Sequence, residues 1–144
     1  MSCIFCRIVA GEIPATVVYE DDLTLAFLDI APIIKGHTLV IPKPHVQHIT
    51  EIPPDLLGAC MLTVQRIACT QMTSLNADGV NIHQANGAAA GQVVPHLHFH
   101  VVPRFTHDGH HWNWKSTPYA SLDAMSAIGA TLRLACKDKA GKPC

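Results

Sequence analysis

His96-Leu97-His98-Phe99-His100-Val101-Val102 alternates polar and apolar residues through Val101, the period of a β-strand. On a strand, His96, His98 and His100 share one face, while Leu97, Phe99 and Val101 share the other. The apolar side is predicted to enter a core. The opposite side would carry three imidazoles about 6 to 7 Å apart. A core gains nothing from such a row, because each ring needs a polar partner. The pattern therefore points to chemistry or to a metal. An exposed structural face is the alternative. An expression tag would not be interrupted by Leu97 and Phe99, nor lie mid-chain.

Just upstream, Asn86-Gly87-Ala88-Ala89-Ala90-Gly91-Gln92 is small and uncharged. On its own this reads as a hairpin turn. Gly-rich backbone also lets amide groups approach an anion closely. Ahead of a histidine-lined strand, the loop points to a phosphate held beside imidazole nucleophiles.

Further upstream, Thr16–Tyr19, Thr24–Leu28 and Thr38–Ile41 read as strands, the last closed by Pro42 and Pro44. Residues 3 to 10 read as a short helix or turn ended by Gly11 to Pro14. Pro53-Pro54-Asp55 opens the longest helix, with proline in its first turn and an acid near its positive end. Its predicted apolar stripe is Leu57, Cys60, Met61, Val64, Ala68, Met72 and Leu75. Cys60 and Cys69 read as helix core or near-core, not as ligands. After Asn76–Gly79, residues 79 to 84 form a strand that leads to the loop. The segment 105–119 reads as irregular. Ser121 is a plausible N-cap for a carboxy-terminal helix carrying Leu122, Met125, Ile128, Leu132 and Ala135. The tail from Lys137 is expected to fray. The predicted class is α+β: an antiparallel meander sheet, one long helix and a C-terminal helix.

The chain has 144 residues, 49% of them hydrophobic, which suits one domain with a full core. That domain is expected to span 1–144, with its core at about 3–104 and a helical extension at 105–144. A net charge of −1 supplies no basic field for nucleic acid. No apolar run reaches the length of a membrane span. The first residues do not read as a signal peptide, since Cys6-Arg7 breaks the apolar run and no small-residue cleavage site follows. A cytoplasmic location is expected, with the six cysteines reduced rather than paired. Ten histidines are many for this length and call for a site.

The stretch Gly91-Gln92-Val93-Val94-Pro95-His96-Leu97-His98-Phe99-His100-Val101-Val102-Pro103-Arg104 resembles the signature of the histidine-triad (HIT) family. Blocks nearer the start match in order: Cys3-Ile4-Phe5-Cys6, Gly11-Glu12-Ile13-Pro14, Tyr19-Glu20-Asp21, Phe27-Leu28-Asp29-Ile30 and Gly36-His37-Thr38-Leu39-Val40-Ile41-Pro42-Lys43. The resemblance covers roughly residues 3 to 104. It implies a HIT-like fold and a nucleotide hydrolase or transferase that is usually a homodimer. His98 would attack the α-phosphate of a purine nucleotide and form a covalent nucleotidyl-histidine. His100 would hold a phosphate oxygen, and amides around Gly91 and Gln92 would stabilise charge. Asp29 would hold the ribose hydroxyls, although it could equally cap a turn. Two positions depart from the family. Val93 stands where many members carry Ser or Thr near the leaving group. Ala85 stands where Asn or Gln is common, so Asn86 or Gln84 would have to serve. The substrate class stays open between a phosphoramidate and a dinucleoside polyphosphate.

Cys3-x-x-Cys6 has the spacing of half a zinc site. Two structural thiols or a redox pair are the other readings. Some bacterial HIT proteins bind zinc through such a pair, a His after the Pro-Lys block and the first triad His. The resemblance therefore implies Cys3, Cys6, His45 and His96, with His48 the rival to His45. A Cys₂His₂ set is closed, hence structural. Two other functional readings stand beside the enzyme. One is a nucleotide- and zinc-binding interaction module with little turnover. The other is a catalytic zinc held by all three triad histidines. His37, His83, His107, His110 and His111 receive no role. His110-His111-Trp112 and Trp114 could contact substrate or a partner subunit.

Overall fold

A computed structural model describes residues 3–112 and 115–138. Trp114 and the tail beyond 138 lie outside the described residues. The chain divides into two units, residues 1–110 and 111–144. The first unit contains α1 (Ile4–Val9), β1 (Val17–Glu20), β2 (Thr24–Leu28), β3 (Thr38–Pro42), α2 (Pro54–Ser74), β4 (Gly79–Gln84) and β5 (Phe99–Arg104). A 3₁₀ turn at Ala88–Ala90 lies in the glycine loop. The second unit holds α3 (Leu122–Asp138), where Ser121 Oγ accepts the Ala124 N–H at 3.1 Å as an N-cap. This helix runs two residues into the stretch expected to fray. No helix among the described residues is long and apolar enough to cross a membrane.

All strand pairs are antiparallel, in the order β1-β2-β3-β5-β4. β1 to β3 form the expected meander. β5 then inserts beside β3, and β4 becomes an edge. The class is α+β, as the element order indicated. β2 and β3 divide their side chains between two clusters, and β5 contributes to the first. Ala26, Val40, Leu97, Phe99 and Val101 join Cys60, Val64 and Ile67 of α2 in one core. Leu25, Phe27, Leu39 and Ile41 join Phe5 of α1 on the opposite face.

The helix stripe needs correction. Cys60, Thr63, Val64, Ile67 and Gln71 are buried on α2, whereas Met61, Met72, Leu75 and Cys69 are exposed. At 100° per residue the buried face follows 60, 64, 67 and 71; Met61 and Met72 fall on its flanks. Gln71 is buried because its Nε2 donates to the carbonyls of Gly36, at 3.0 Å, and Val101, at 2.9 Å. Thr63 is satisfied by Thr24, with the hydroxyls 2.8 Å apart.

The triad strand starts later than its alternation predicts. Regular pairing begins at Phe99, opposite Val40 on one side and Gln84 on the other. His96, at the end of a bend, and His98 lie just before it, held by individual hydrogen bonds. The alternation of faces nonetheless holds, because Leu97 is fully buried in the α2 core.

Candidate active site and metal centre

The triad imidazoles stand on the α1 side of the sheet, and each ring is fixed by a different partner. His96 is fully buried, and its Nε2–H donates to the Pro42 carbonyl at 2.9 Å. That bond leaves Nδ1 bare, facing Cys3 Sγ at 3.5 Å and Cys6 Sγ at 3.6 Å. His98 Nδ1–H donates to the His96 carbonyl at 2.6 Å. Its Nε2 is therefore the nitrogen that carries a lone pair. Phe5 packs edge-on against both rings, with centroids 5.8 Å from His96 and 5.3 Å from His98. The His100 ring lies 4.9 Å from that of His98.

His37 fixes His100, and it received no role from the sequence. The Ile33 amide donates to His37 Nδ1 at 3.2 Å, so the His37 proton sits on Nε2. That Nε2–H donates to His100 Nδ1 at 2.9 Å. Neutral His100 then carries its own proton on Nε2, as a donor. Burial keeps this chain uncharged. It pushes His100 down to about 4, with the His98, His37 and His83 imidazoles adding to the effect. Burial also lowers His37, against the pull of Asp29. His37 lies two residues before Leu39 and four before Ile41, so period-2 counting already placed it on their face. His83 is the other missed residue. It pairs with His100 across β4 and β5, with ring centroids 5.7 Å apart. Only that register, which no local pattern specifies, brings it near.

Asp29 follows β2 and does cap a turn, since its Oδ1 accepts the Ala31 amide at 2.9 Å. Its Oδ2 lies 3.7 Å from His37 Nε2. Asp29, His37 and His100 lie within ligand distance of one another. A metal there would need the His37 Nε2 lone pair, and the Ile33 amide holds the proton on that nitrogen. His37 and His100 form a hydrogen-bonded pair, with the Asp29 carboxylate nearby at 3.7 Å.

The loop residues are largely committed to the loop. Gln92 Oε1 accepts the Gly87 amide at 2.7 Å, and its Nε2 donates to the carbonyls of Gln47 and Val94. Asn86 Oδ1 accepts the Ile49 amide at 2.8 Å, and the Asn86 and Gln84 amides bond to each other. The Gly91 amide donates to Ala88 O and the Gln92 amide to Gly87 O. Gly91 adopts φ +89°, a left-handed conformation that glycine takes at least cost. Val93 is 90% exposed just past it.

Cys3, Cys6, His45 and His96 converge, with ligand atoms within 4.8 Å of one another. Cys6 Sγ is 3.3 Å from His45 Nδ1. Tetrahedral zinc, with Zn–S about 2.3 Å and Zn–N about 2.0 Å, spaces sulfur and nitrogen ligands about 3.5 Å apart. The observed S···N distances of 3.3, 3.5 and 3.6 Å fit that edge. Burial raises the Cys6 thiol, and Cys3 beside it raises it further. A divalent cation is what allows two such neighbours to ionise together. His48, the rival ligand, instead faces Glu51 at 3.3 Å. Among the described residues, the three triad imidazoles do not form a common ligand group.

Residues 10–107 match the family model for the HIT domain. The chain belongs to the HIT family. The HIT match leaves out residues 1–9, which carry Cys3 and Cys6, and residues 108–144. An uncharacterized HIT-like protein of Methanocaldococcus jannaschii is 51% identical over 74% of this chain and 82% of its own length. The adenosine 5′-monophosphoramidase of Schizosaccharomyces pombe is 39% identical over 90% of this chain and 94% of its own. An adenylylsulfatase of Arabidopsis thaliana is 42% identical over 74% of this chain and 54% of its own. Among solved structures, a HIT family protein from Bacillus anthracis superposes with TM-score 0.86 at 40% identity, covering 93% of this chain and 96% of that one. A zinc-bound histidine triad protein from Mycobacterium smegmatis gives 0.72 at 42% identity, covering 94% and 98%. These HIT relatives support a nucleotide hydrolase in general terms.

Proposed function

We propose that this HIT protein hydrolyses a purine nucleotide at its α-phosphate through a covalent intermediate on His98. The observation that carries the reading is the His98 Nδ1–H bond to the His96 carbonyl, which leaves Nε2 as a rigidly aimed nucleophile. The Nε2 lone pair forms a bond to phosphorus. The bond from phosphorus to the leaving group breaks, and that group departs with the bonding pair and takes a proton from solvent. Water then attacks phosphorus and gives a proton to solvent, the P–Nε2 bond breaks with its pair returning to His98 Nε2, and the nucleoside monophosphate leaves. His100, neutral and protonated on Nε2, donates to a non-bridging phosphate oxygen. His37 keeps it in that tautomer. Asp29 accepts from the ribose hydroxyls with the oxygen not used by Ala31. Asn86, Gly91 and Gln92 shape the phosphate side of the site, chiefly by fixing the loop.

Cys3, Cys6, His45 and His96 would hold zinc as a closed structural site. The metal would supply cross-linking of the amino-terminal segment, whose six-residue helix is otherwise seated by Phe5, Ile8 and Val9. The active form is a cytoplasmic homodimer, to be checked by sedimentation.

The relative that is a phosphoramidase favours an adenosine phosphoramidate over a dinucleoside polyphosphate. The test is AMP release from both compounds, followed by chromatography with His98→Ala alongside. Release that the substitution abolishes supports the reading; release that survives it excludes His98 as nucleophile. The exposed Val93, where a leaving-group donor is absent, favours the second reading: a nucleotide- and zinc-binding module with little turnover. Nucleotide binding without release from either compound would select it.

A further inference from the structure

His96 is held at three points that belong to two different sites. Its Nδ1 faces the two cysteines, its Nε2–H is bound by Pro42, and its carbonyl is the acceptor that fixes the His98 ring. No neighbouring strand holds that carbonyl in place, because regular pairing of β5 begins only at Phe99. Backbone bonds from the His96 amide to Val94 O and the Leu97 amide to Val46 O tie the segment to loops. The Leu97 amide lies in the same planar peptide as the His96 carbonyl, so its bond to Val46 O at 2.6 Å and the ring anchors of His96 together set where that carbonyl points. A second link runs through Phe5. It lies between Cys3 and Cys6 in sequence, and its ring packs edge-on against His98 at 5.3 Å and Phe27 at 5.5 Å.

We propose that Cys3, Cys6 and His45, together with the metal they hold, are positioning residues for His98, acting through the His96 carbonyl and the Phe5 ring. The inference rests on the reading of His98 as nucleophile and of the four donors as a zinc site. None of the three residues needs to touch substrate. Loss of the metal leaves His96 with one ring anchor instead of two, and leaves α1 seated by the apolar contacts of Phe5, Ile8 and Val9 without a link to His96. A nucleophile must be held within about 0.5 Å and 10–20° of its productive geometry. A displacement of about 1 Å costs roughly a hundred-fold in rate. A metal at this place therefore controls the chemical step as well as stability.

The test uses the full chain with three replacements and one treatment. His45→Ala removes a ligand; His45→Cys restores a four-donor set of another composition; Cys6→Ser removes a second ligand. Chelator stripping of the wild type, followed by zinc return, avoids any dependence on a variant's folding. Four quantities are read: zinc per chain, AMP affinity, the single-turnover rate of His98 labelling by an adenosine phosphoramidate, and the ¹⁵N signals of the His98 ring. The expected result is one zinc per wild-type chain, lost in His45→Ala and Cys6→Ser. AMP affinity should stay within about three-fold, while the labelling rate falls about ten-fold or more. The Nδ1–H tautomer signature of His98 should broaden or mix. His45→Cys and zinc return should bring rate and signature back together. The proposal is overturned if wild-type protein takes up no zinc. It is also overturned if metal-free protein keeps both the rate and the His98 signature. A wild type that shows no labelling would instead sink the nucleophile assignment, and the ring signals would still decide the positioning claim.

Discussion

Acidification should destabilise this protein through His100, and the size of the effect can be worked out. The ring is half-buried and neutral, pushed down to about 4 from an ordinary 6.5, chiefly by desolvation. Between these values the unfolded chain binds a proton that the folded chain refuses, so stability rises with pH across that window. It is fully present above about 6.5 and is lost as pH falls toward 4. Integrated from pH 7.5 to pH 5, this one ring costs about 2 kcal/mol. His100→Gln removes the titrating group while keeping a polar side chain. Urea unfolding at fixed protein concentration, at pH 5, 6 and 7.5, gives the comparison for wild type and variant. The wild type should lose about 2 kcal/mol more on acidification than the variant does. Equal losses would mean that His100 is not held neutral by burial, and the His37–His100 proton chain would lose its basis.

Three further outcomes follow from the packing and the site. Gly36 has φ +97°, and a Cβ added there would meet Leu75 Cδ1 at 2.8 Å and Pro103 Cγ at 3.2 Å. Gly36→Ala should therefore cost about 2–4 kcal/mol in urea unfolding, from left-handed strain and overpacking together. His37→Phe keeps an aromatic ring of similar shape but removes the donor to His100 Nδ1. It should lower kcat about ten-fold, with a smaller change in KM, since a hydrogen bond of this kind is worth about 1–1.5 kcal/mol. Cys3→Ser should drop zinc content per chain well below one by elemental analysis and lower the melting temperature, because metal binding is coupled to folding.

Much of this organisation is legible in the sequence, for reasons that single residues make clear. Ala26 and Val40 face α2 while Leu25, Phe27, Leu39 and Ile41 face α1; strict alternation carries that information. The Cys-x-x-Cys spacing and the triad announce themselves because few other uses put such side chains at such intervals. What failed depended on contacts distant in the chain. Gln71 is buried only because two carbonyls from other segments receive its amide. Met72, beside it, looks like core by type and is exposed. Asn86 and Gln92, expected toward substrate, spend their side chains on the loop. His83 reaches the site through strand register alone. His37 shares the period-2 face of Leu39 and Ile41 but sits one residue before β3, outside the apolar run that marks the strand.

Intact-protein mass spectrometry after rapid acid quench, with adenosine phosphoramidate as substrate and His98→Ala in parallel, tests the covalent step most directly. The wild type should gain the mass of one adenylyl group, and the variant should not. A variant that labels like the wild type, or a wild type that releases AMP while never carrying the adduct, would contradict the assignment of His98 as the nucleophile.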